Sequence, residues 1–296
     1  MTTVNAIDGA TGALSDSYGC HGGAGAVQLA KTIIDTRCHV CAFFRGSNEE
    51  YKTLIPFLKE GLDLGDKAVE ILEPARRPEH VRRLTEAGIA VKRVLERGQL
   101  ELRGWKDTYL RTGRFDLRGM TALLEEIARA GERRGTGVTR LWADMQWAAE
   151  DSSDVRELVE YEAGLNKMLP KHNMATVCAY DITRFRSSIV MDILRTHPLV
   201  MVGGALRQNP FYVEPDEFLH ELSERVRLPD EGAIEARSQL FILEEGIDYT
   251  PDEGRAAILT EQGFERLVAA HRKGFEVVIM VDDNVTFALP AEVKPA

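Results

Sequence analysis

Short apolar runs alternate with amphipathic segments along most of this chain, and this alternation restricts the fold more than any other feature of the sequence. The runs HVCAFF (39–44) and KAVEIL (67–72) are largely apolar and are followed by polar loops, which is typical of strands buried on both faces. Between them, EEYKTLIPFLKEGLDLG (49–65) has apolar residues at helical spacing, begins with two acids and ends in glycine. A strand, a helix and a second strand in this order predict the crossover unit of a parallel sheet.

The same alternation continues toward the carboxyl terminus. VTRLWADMQWA (138–148), MATVCAYDI (174–182) and PLVMVGG (198–204) predict further strands, with helical segments between them. GIAVKRVLERGQLELRG (88–104) predicts two short strands, and VQLAKTII (27–34) predicts a short helix. The pattern therefore indicates a three-layer α/β domain with a mainly parallel sheet.

The character of the sequence changes at both ends of this domain. Residues 1–25 are rich in small residues and predict a flexible segment, so the α/β domain is expected to span 26–219. The remaining residues, 220–296, predict an extension of charged helices that closes with strands or a hairpin. Its predicted helices are DEFLHELSERVRL (216–228), IEARSQLFILEEG (234–246) and ERLVAAHRKG (265–274), and its predicted strands are FEVVIMVDD (275–283) and VTFAL (285–289).

Composition excludes several classes of protein. The 296 residues contain 37 Lys and Arg against 47 Asp and Glu, for a net charge of −10, which disfavours direct binding of nucleic acid. No apolar run reaches the roughly 18–20 residues that span a bilayer, and the amino terminus does not have the pattern of a secretory signal. Four cysteines in a chain of this length are not a disulfide framework. We therefore expect a cytoplasmic protein with reduced cysteines and no contact with a membrane.

The order of elements resembles the opening of the RecA-like KaiC ATPases. In both, a strand, a loop and a helix ending in a motif such as FLKEGLDLG precede a second strand, and Asp144 stands where those enzymes carry a magnesium-associated acid. The loop RGSNEE (45–50) nevertheless has no lysine and has two acids, which would repel a triphosphate. No GxxxxGK[ST], GxSxG, HExxH or CxxC motif occurs. ATP hydrolysis is therefore disfavoured.

Several separated motifs resemble the MEDS domain, a sensory domain of methanogens and methylotrophs. They are HVCAFF with FLKEGLDLGDKAVEIL, MQWA (145–148), YE and LN in 161–166, CAYD (178–181), and the RTHP, GG and NPFY motifs of 195–212. The resemblance covers roughly 37–220 and implies that 26–219 senses small hydrocarbon derivatives, as a part of signal-transduction proteins. Gln146 stands where an acid is expected. No helix-turn-helix or kinase module is evident, so the output would come from a partner or from the extension.

Ligands of open α/β sheets usually bind beyond the carboxyl ends of the strands. Here those ends supply apolar and aromatic side chains with a few polar groups, which suit a small, weakly polar molecule. Trp105 and Tyr109, four residues apart, predict an aromatic lid, with ordinary core packing as the alternative. For Phe43 and Met145, packing of the sheet against a helix is the favoured interpretation. The residues predicted to bind the ligand are His39, Cys41, Phe43, Arg45, Trp105, Tyr109, Asp144, Met145, Trp147, Glu162, Cys178, Tyr180 and His197.

Imidazole and thiol groups make a second candidate within this set. His39, Cys41, Cys178 and His197 have the donor chemistry of a zinc, soft-metal or haem site, but their spacing is not that of a structural zinc site. Burial without function and a polar role in ligand binding remain open. Glu162 is either a solvated helical acid or a buried acid that binds a ligand or orients Tyr180, as the resemblance implies.

The leading hypothesis is a non-enzymatic sensor on a RecA-like scaffold that binds a small organic ligand. It would relay binding to a regulatory partner (a kinase, an anti-sigma factor or a transcription regulator), and a homodimer remains open. The alternatives are a diverged RecA/KaiC-like nucleotide-binding protein or NTPase and, third, a metal or haem sensor. No cofactor is predicted.

Overall fold

The computed structural model of the protein describes most of the α/β domain and separate segments outside it. The described residues are 3–5, 26–133, 135, 137–149, 155–185, 187–209, 211–225, 237–242, 249–251, 256–259, 262, 265, 275–281 and 286–289. The predicted flexible segment 1–25 therefore lies outside the described residues, apart from 3–5.

The strands are β1 (Thr3–Asn5), β2 (Ala26–Leu29), β3 (Thr32–Asp35), β4 (His39–Phe44), β5 (Lys67–Leu72), β6 (Leu100–Gly104), β7 (Thr139–Asp144), β8 (Met174–Asp181), β9 (Leu199–Val202), β10 (Ala205–Gln208), β11 (Arg237–Ile242), β12 (Tyr249–Pro251), β13 (Ala256–Leu259), β14 (Phe275–Val281) and β15 (Thr286–Leu289). The helices are α1 (Ser47–Leu64), α2 (Arg77–Glu86), α3 (Val91–Glu96), α4 (Leu117–Arg133), α5 (Val155–Met168), α6 (Ser187–Arg195) and α7 (Pro215–Arg225). None of the described helices combines the length and the apolar character needed to cross a bilayer.

A seven-stranded sheet with the order β10-β9-β4-β8-β7-β5-β6 forms the centre of the domain. All of its neighbouring strands are parallel except the edge hairpin of β9 and β10. The hairpin turns at Gly203 and Gly204, whose φ angles of 58° and 79° favour glycine. Because β4 and β8 lie in the middle, their side chains are buried on both faces, as the continuous apolar runs predict.

Helices cover both faces of this sheet and bury two apolar layers. Helices α1, α2 and α3 pack on one face, through residues such as Leu54, Leu84 and Val91. Helices α4, α5 and α6 pack on the other, through residues such as Leu124 and Ile193. The domain therefore has the three-layer α/β architecture with a mainly parallel sheet that the sequence predicts. Odd-numbered residues of β4 face the layer of α4, α5 and α6, because side chains alternate along a strand.

Two local predictions in the domain are wrong. Segment 27–34 forms the hairpin of β2 and β3 rather than a helix, because alternate residues such as Val27 and Leu29 point into the core and Ala30 turns the chain with a φ of 55°. The first of the two strands predicted in 88–104 is helix α3, in which Val91, Val94 and Leu95 share one buried face. The second is strand β6, as predicted.

The carboxyl-terminal region also differs from expectation. Part of the predicted helix 234–246 is strand β11, which pairs in parallel with the apolar strand β14 along its whole length. Pairing with an apolar neighbour overrides the local helical preference. Strands β14 and β15 form the predicted hairpin. Helix α7 crosses the predicted boundary at 219, and the predicted helix 265–274 lies outside the described residues except at 265.

The three cysteines that the structure describes differ in oxidation state. Cys41 and Cys178 are buried free thiols, whereas Cys38 is disulfide-bonded. The expectation that every cysteine is reduced is therefore wrong for Cys38.

Candidate functional site

Four buried side chains with metal-ligand chemistry converge beneath the amino-terminal half of the central strands, on the face covered by α5 and α6. His39 comes from β4, Glu162 from α5 and Cys178 from β8, while His197 lies two residues before β9. One donor atom from each lies within 4.8 Å of all the others. None of the four side chains is more than 1% exposed. We call them the His/Glu/Cys cluster.

The carboxylate of Glu162 is the centre of this cluster. Its Oε2 atom lies 3.1 Å from His39 Nε2, 3.5 Å from His197 Nε2 and 3.7 Å from Cys178 Sγ. His39 Nε2 is itself 3.4 Å from Cys178 Sγ. The hydroxyl of Tyr180 donates a 2.7 Å hydrogen bond to the other oxygen, Oε1, so both carboxylate oxygens have neighbours.

A second ring of contacts fixes the orientation of both imidazoles. The Asn166 amide nitrogen donates to the carbonyl oxygens of Glu162 and Thr196, which leaves its Oδ1 facing His39 Nδ1 at 3.2 Å. His197 Nδ1 lies 2.8 Å from the carbonyl oxygen of Ile193. Since both of these oxygens only accept, each Nδ1 donates its hydrogen away from the cluster and each ring directs its Nε2 atom at the cluster.

Burial controls the protonation of the cluster. It lowers the pKa of His39 to about 4, and the neighbouring His197 lowers it further, so the His39 imidazole is neutral at neutral pH. Burial acts to raise the pKa of Glu162, but the imidazoles of His197 and His39 outweigh it and hold that pKa below its usual range. Burial and the Glu162 charge raise the pKa of the Cys178 thiol and the Tyr180 hydroxyl. The cluster therefore holds an ionised carboxylate beside a thiol and a hydroxyl group that keep their protons.

Other predicted residues lie around this cluster without joining it. The Cys41 thiol is opposite Cys178 in the sheet but donates to the carbonyl oxygen of Leu199 at 3.6 Å. The Phe43 ring packs against the ring of Tyr180, with centroids 5.9 Å apart.

The predicted aromatic residues pack inside the core rather than at the edge of a crevice. Trp147 is stacked against both Tyr109 and Phe115, with ring centroids 4.9 and 4.8 Å away, and is 2% exposed. The Trp105 indole donates to the carbonyl oxygen of Asp144 at 3.1 Å, and Met145 is buried. Trp105 and Tyr109 are both buried, so they do not form the exposed lid that their spacing predicts.

The carboxyl edge of the sheet is occupied by the protein's own charges. The Arg76 guanidinium lies 2.9 Å from both Asp144 Oδ2 and Glu50 Oε2. The cavity beside these residues is about 10 Å³, room for about one water molecule. Burial, together with the charge of Glu50, raises the pKa of Asp144 to about 7, although Arg76 opposes this. Arg45 is exposed at the end of β4.

A larger cavity opens at the opposite, amino edge of the sheet. Its volume is about 220 Å³, and its walls include His39 and the half-buried Arg37. Arg37 Nε is buried and has no hydrogen-bond partner among the described residues. At the rim, Lys167 of α5 forms an ion pair with Asp216 of α7. His39 thus belongs both to the wall of this cavity and to the His/Glu/Cys cluster.

The family model described as "MEthanogen/methylotroph, DcmR Sensory domain" matches residues 38–198, a range that contains the whole His/Glu/Cys cluster. The chain belongs to the MEDS family. The resemblance inferred from the sequence motifs is therefore confirmed.

Two individual proteins are similar to this MEDS protein. The transcriptional repressor DcmR of Methylorubrum extorquens is 27% identical over 171 residues, which are 57% of this chain and 62% of that protein. The match thus spans less than two thirds of the repressor. A KaiC-like protein of Pyrococcus horikoshii OT3 has 15% sequence identity and a TM-score of 0.39, with 55% of this chain and 69% of that chain covered.

Sequence reasoning on this MEDS domain missed the amino-edge cavity. The sequence instead predicted a ligand site at the carboxyl ends of the strands, where α/β domains usually bind ligands. Asn166 and Tyr212, which line the cavity, are part of the family motifs and were detectable on that basis. Arg37 carries no such signal, because its cavity exists only once α7 has packed against the sheet domain.

Proposed function

We propose that this MEDS domain is the sensory part of a regulatory protein, that it binds a small organic molecule in the amino-edge cavity, and that it is not an enzyme. The family description as a sensory domain and the name of the related repressor support the regulatory role. The observation that carries the proposal is the combination of an open volume with an unpartnered buried donor on Arg37.

The size of the cavity restricts the ligand. A volume of about 220 Å³ exceeds the roughly 150 Å³ of an engineered cavity that holds benzene. It is smaller than the roughly 300–1,000 Å³ of pockets for drug-sized ligands. The expected ligand therefore has fewer than about ten non-hydrogen atoms.

The walls of the cavity restrict the chemistry of the ligand. Leu169, Pro170 and Pro198 offer apolar surface, and Arg37 offers an N–H donor. A buried donor without a partner costs about 1–3 kcal/mol, which a ligand acceptor at this position would recover. We therefore expect a hydrocarbon derivative with one acceptor group, such as a carboxylate or a carbonyl oxygen.

Helix α7 is the element through which binding would be relayed. Its first residues, Pro215 and Asp216, line the cavity. Further along, Phe218 and Leu222 pack on Val159 of α5. A ligand with different affinity for two positions of α7 would shift the equilibrium between them and change the surface offered to a regulatory partner. A cytoplasmic kinase, anti-sigma factor or transcription regulator fits this role.

Nucleotide binding at the carboxyl edge is not proposed. Arg76 already forms ion pairs with Glu50 and Asp144 there, and the adjoining cavity holds no more than about one water molecule. A bound nucleotide would have to displace this ion-paired group and would face the acids of the loop.

The two arginines that flank β4 give a matched test. Ligand-observed NMR with a panel of small alcohols, carboxylates and chlorinated hydrocarbons would identify binders of the full chain. We expect Arg37→Met to weaken a binder that carries an acceptor by about 10- to 100-fold, on the basis of the lost hydrogen bond. Arg45→Met, at the carboxyl edge, should leave binding unchanged. Binding that is lost in Arg45→Met and kept in Arg37→Met would contradict the amino-edge site.

A further inference from the structure

We propose that the His/Glu/Cys cluster is a binding site for one divalent transition-metal ion of the zinc type, held by His39 Nε2, His197 Nε2, Glu162 Oε2 and Cys178 Sγ. This inference goes beyond the proposed function, because it requires no organic ligand in the neighbouring cavity.

The distances between the donor atoms fit tetrahedral coordination. Ligands at about 2.0–2.3 Å from a zinc ion are separated by about 3.3–3.8 Å along the edges of the tetrahedron. The Glu162 oxygen is 3.1 and 3.5 Å from the two imidazole nitrogens and 3.7 Å from the Cys178 sulfur. The His39 nitrogen is 3.4 Å from the same sulfur. Four of the six distances between donor atoms are therefore close to the edges of such a tetrahedron, and the other two are no longer than 4.8 Å.

The hydrogen-bond pattern directs the Nε2 atoms of both imidazoles at the Glu162 carboxylate. The Nδ1 hydrogens of His39 and His197 are already directed at Asn166 Oδ1 and the Ile193 carbonyl oxygen. Both Nε2 atoms therefore point toward the Glu162 carboxylate, at 3.1 and 3.5 Å from Oε2. His197 Nε2 is fully buried and has no hydrogen-bond partner among the described residues. A metal ion would coordinate the two Nε2 atoms and Glu162 Oε2 at the same time.

The outer contacts are those found around metal-binding histidines. Such residues usually donate their second ring N–H to a carbonyl or carboxylate group, which fixes the tautomer and the ring orientation. Here Asn166 and the Ile193 carbonyl supply those acceptors. The Tyr180 hydroxyl holds Glu162 Oε1, which leaves Oε2 for coordination through one oxygen.

Charge and access are also consistent with a divalent ion. Binding would form a metal–sulfur bond as the Cys178 S–H loses its proton to solvent, so the thiolate and the Glu162 carboxylate together balance two positive charges. His39 lines the amino-edge cavity, which gives the ion a route to the cluster. Cys41 is not a ligand in this proposal, because its thiol faces the Leu199 carbonyl oxygen.

Cobalt(II) titration of the full chain, after treatment with a chelator, tests the proposal. We expect one equivalent to bind with a thiolate-to-cobalt charge-transfer band and the intense visible bands of four-coordinate cobalt. Zinc(II) should displace it and raise the melting temperature. If the wild-type chain shows no thiolate-to-cobalt band, or if zinc(II) leaves both the band and the melting temperature unchanged, the proposal is wrong.

Variants identify the ligands. Cys178→Ser should remove the charge-transfer band, and Glu162→Gln should weaken cobalt binding by at least about tenfold. Cys41→Ser is the matched control, because it removes the neighbouring buried thiol and should keep both the band and the stoichiometry. A band that persists in Cys178→Ser, or that disappears in Cys41→Ser, would overturn the assignment. If the wild-type chain binds the organic probe but not cobalt(II), this inference fails while the proposed function stands.

Discussion

The two edges of the central sheet use buried charge in opposite ways. At the carboxyl edge, Glu50, Arg76 and Asp144 form ion pairs with one another and leave about 10 Å³ of space. At the amino edge the cavity is about 220 Å³, and Arg37 Nε and His197 Nε2 have no hydrogen-bond partners among the described residues. At one edge an arginine forms ion pairs with two buried acids, whereas at the other the buried Nε of Arg37 faces an open cavity without a partner among the described residues.

This difference shows why topology alone does not locate the site. Binding crevices in open α/β sheets usually lie beyond the carboxyl ends of the strands, because loops and helix amino termini meet there. In this domain an arginine side chain occupies that position. Buried groups without partners are costly, so those that persist at the amino edge are better evidence for a ligand than the direction of the strands.

The largest predicted effect concerns the aromatic core near the carboxyl edge. Because Trp147 is buried and packs against two aromatic rings, Trp147→Ala should lower the free energy of unfolding by about 3–5 kcal/mol. Denaturant titration measures this loss, and the exposed Ile33→Ala is a control that should change little. Binding of small organic probes by the remaining folded protein should persist. A Trp147→Ala variant of near-native stability that no longer binds the probes would show that the ligand binds at Trp147 and not in the amino-edge cavity.

A comparable loss is expected when the internal cation of the carboxyl edge is removed. Arg76→Met leaves the carboxylates of Glu50 and Asp144 buried without their partner, which costs about 3–5 kcal/mol at pH 8. This loss of stability should be smaller at pH 5, because protonation of Asp144 removes its repulsion with Glu50. Arg82→Met, which removes an exposed arginine from the surface of α2, should have little effect at either pH. Equal stability of Arg76→Met and Arg82→Met would show that the carboxyl edge is not held by this pair of contacts.

Most of the sheet domain could be predicted from the sequence because its strands carry local signals. A run such as 39–44 is buried on both sides whatever its neighbours are, so its composition alone indicates a central strand. Segments 27–34 and 234–246 were misassigned because their conformation depends on pairing partners rather than on local propensity. Strand β11 pairs with β14, which lies more than thirty residues later in the chain.

The site was only partly predictable for the same reason. Strand alternation places His39 and Cys41 on one face, and the position of Cys178 in a second core strand suggests that they are neighbours. Which thiol points at the Glu162 carboxylate depends on how α5 packs, and local sequence does not encode this. Arg76 lies 68 residues from Asp144 in the sequence, so the filling of the carboxyl edge also required the tertiary structure.

A smaller effect follows from the raised pKa of Asp144 at the carboxyl edge. The pKa of Asp144 is raised from its ordinary value of 3.8 to about 7 in the folded protein, by burial and by Glu50. Between these values the folded state keeps a proton that the unfolded state releases, so the contribution to stability is complete below pH 4 and lost as the pH rises through 7. As the pH rises from 5 to 7, deprotonation of Asp144 should lower the free energy of unfolding by about 2 kcal/mol. Asp144→Asn should lack that slope in denaturant titrations, whereas Asp63→Asn on the surface of α1 should retain it. Parallel slopes in the wild type and Asp144→Asn would contradict the raised pKa.

The smallest effect on stability is expected at the rim of the amino-edge cavity, where the effect on binding kinetics should be clear. Lys167 and Asp216 join α5 to the first turn of α7, but Asp216 is 91% exposed and water screens the pair. Asp216→Asn should therefore leave the denaturant midpoint unchanged. It should increase the dissociation rate of a small organic probe by about two- to fivefold, because one contact that holds α7 over the cavity is lost. Lys59 and Asp63 form a comparable exposed pair on α1, far from the cavity in the fold, so Asp63→Asn should change neither quantity. NMR exchange measurements on the bound probe provide the rate. A rate in Asp216→Asn equal to that in Asp63→Asn would show that α7 does not control access to the cavity, and the relay through α7 would have to be abandoned.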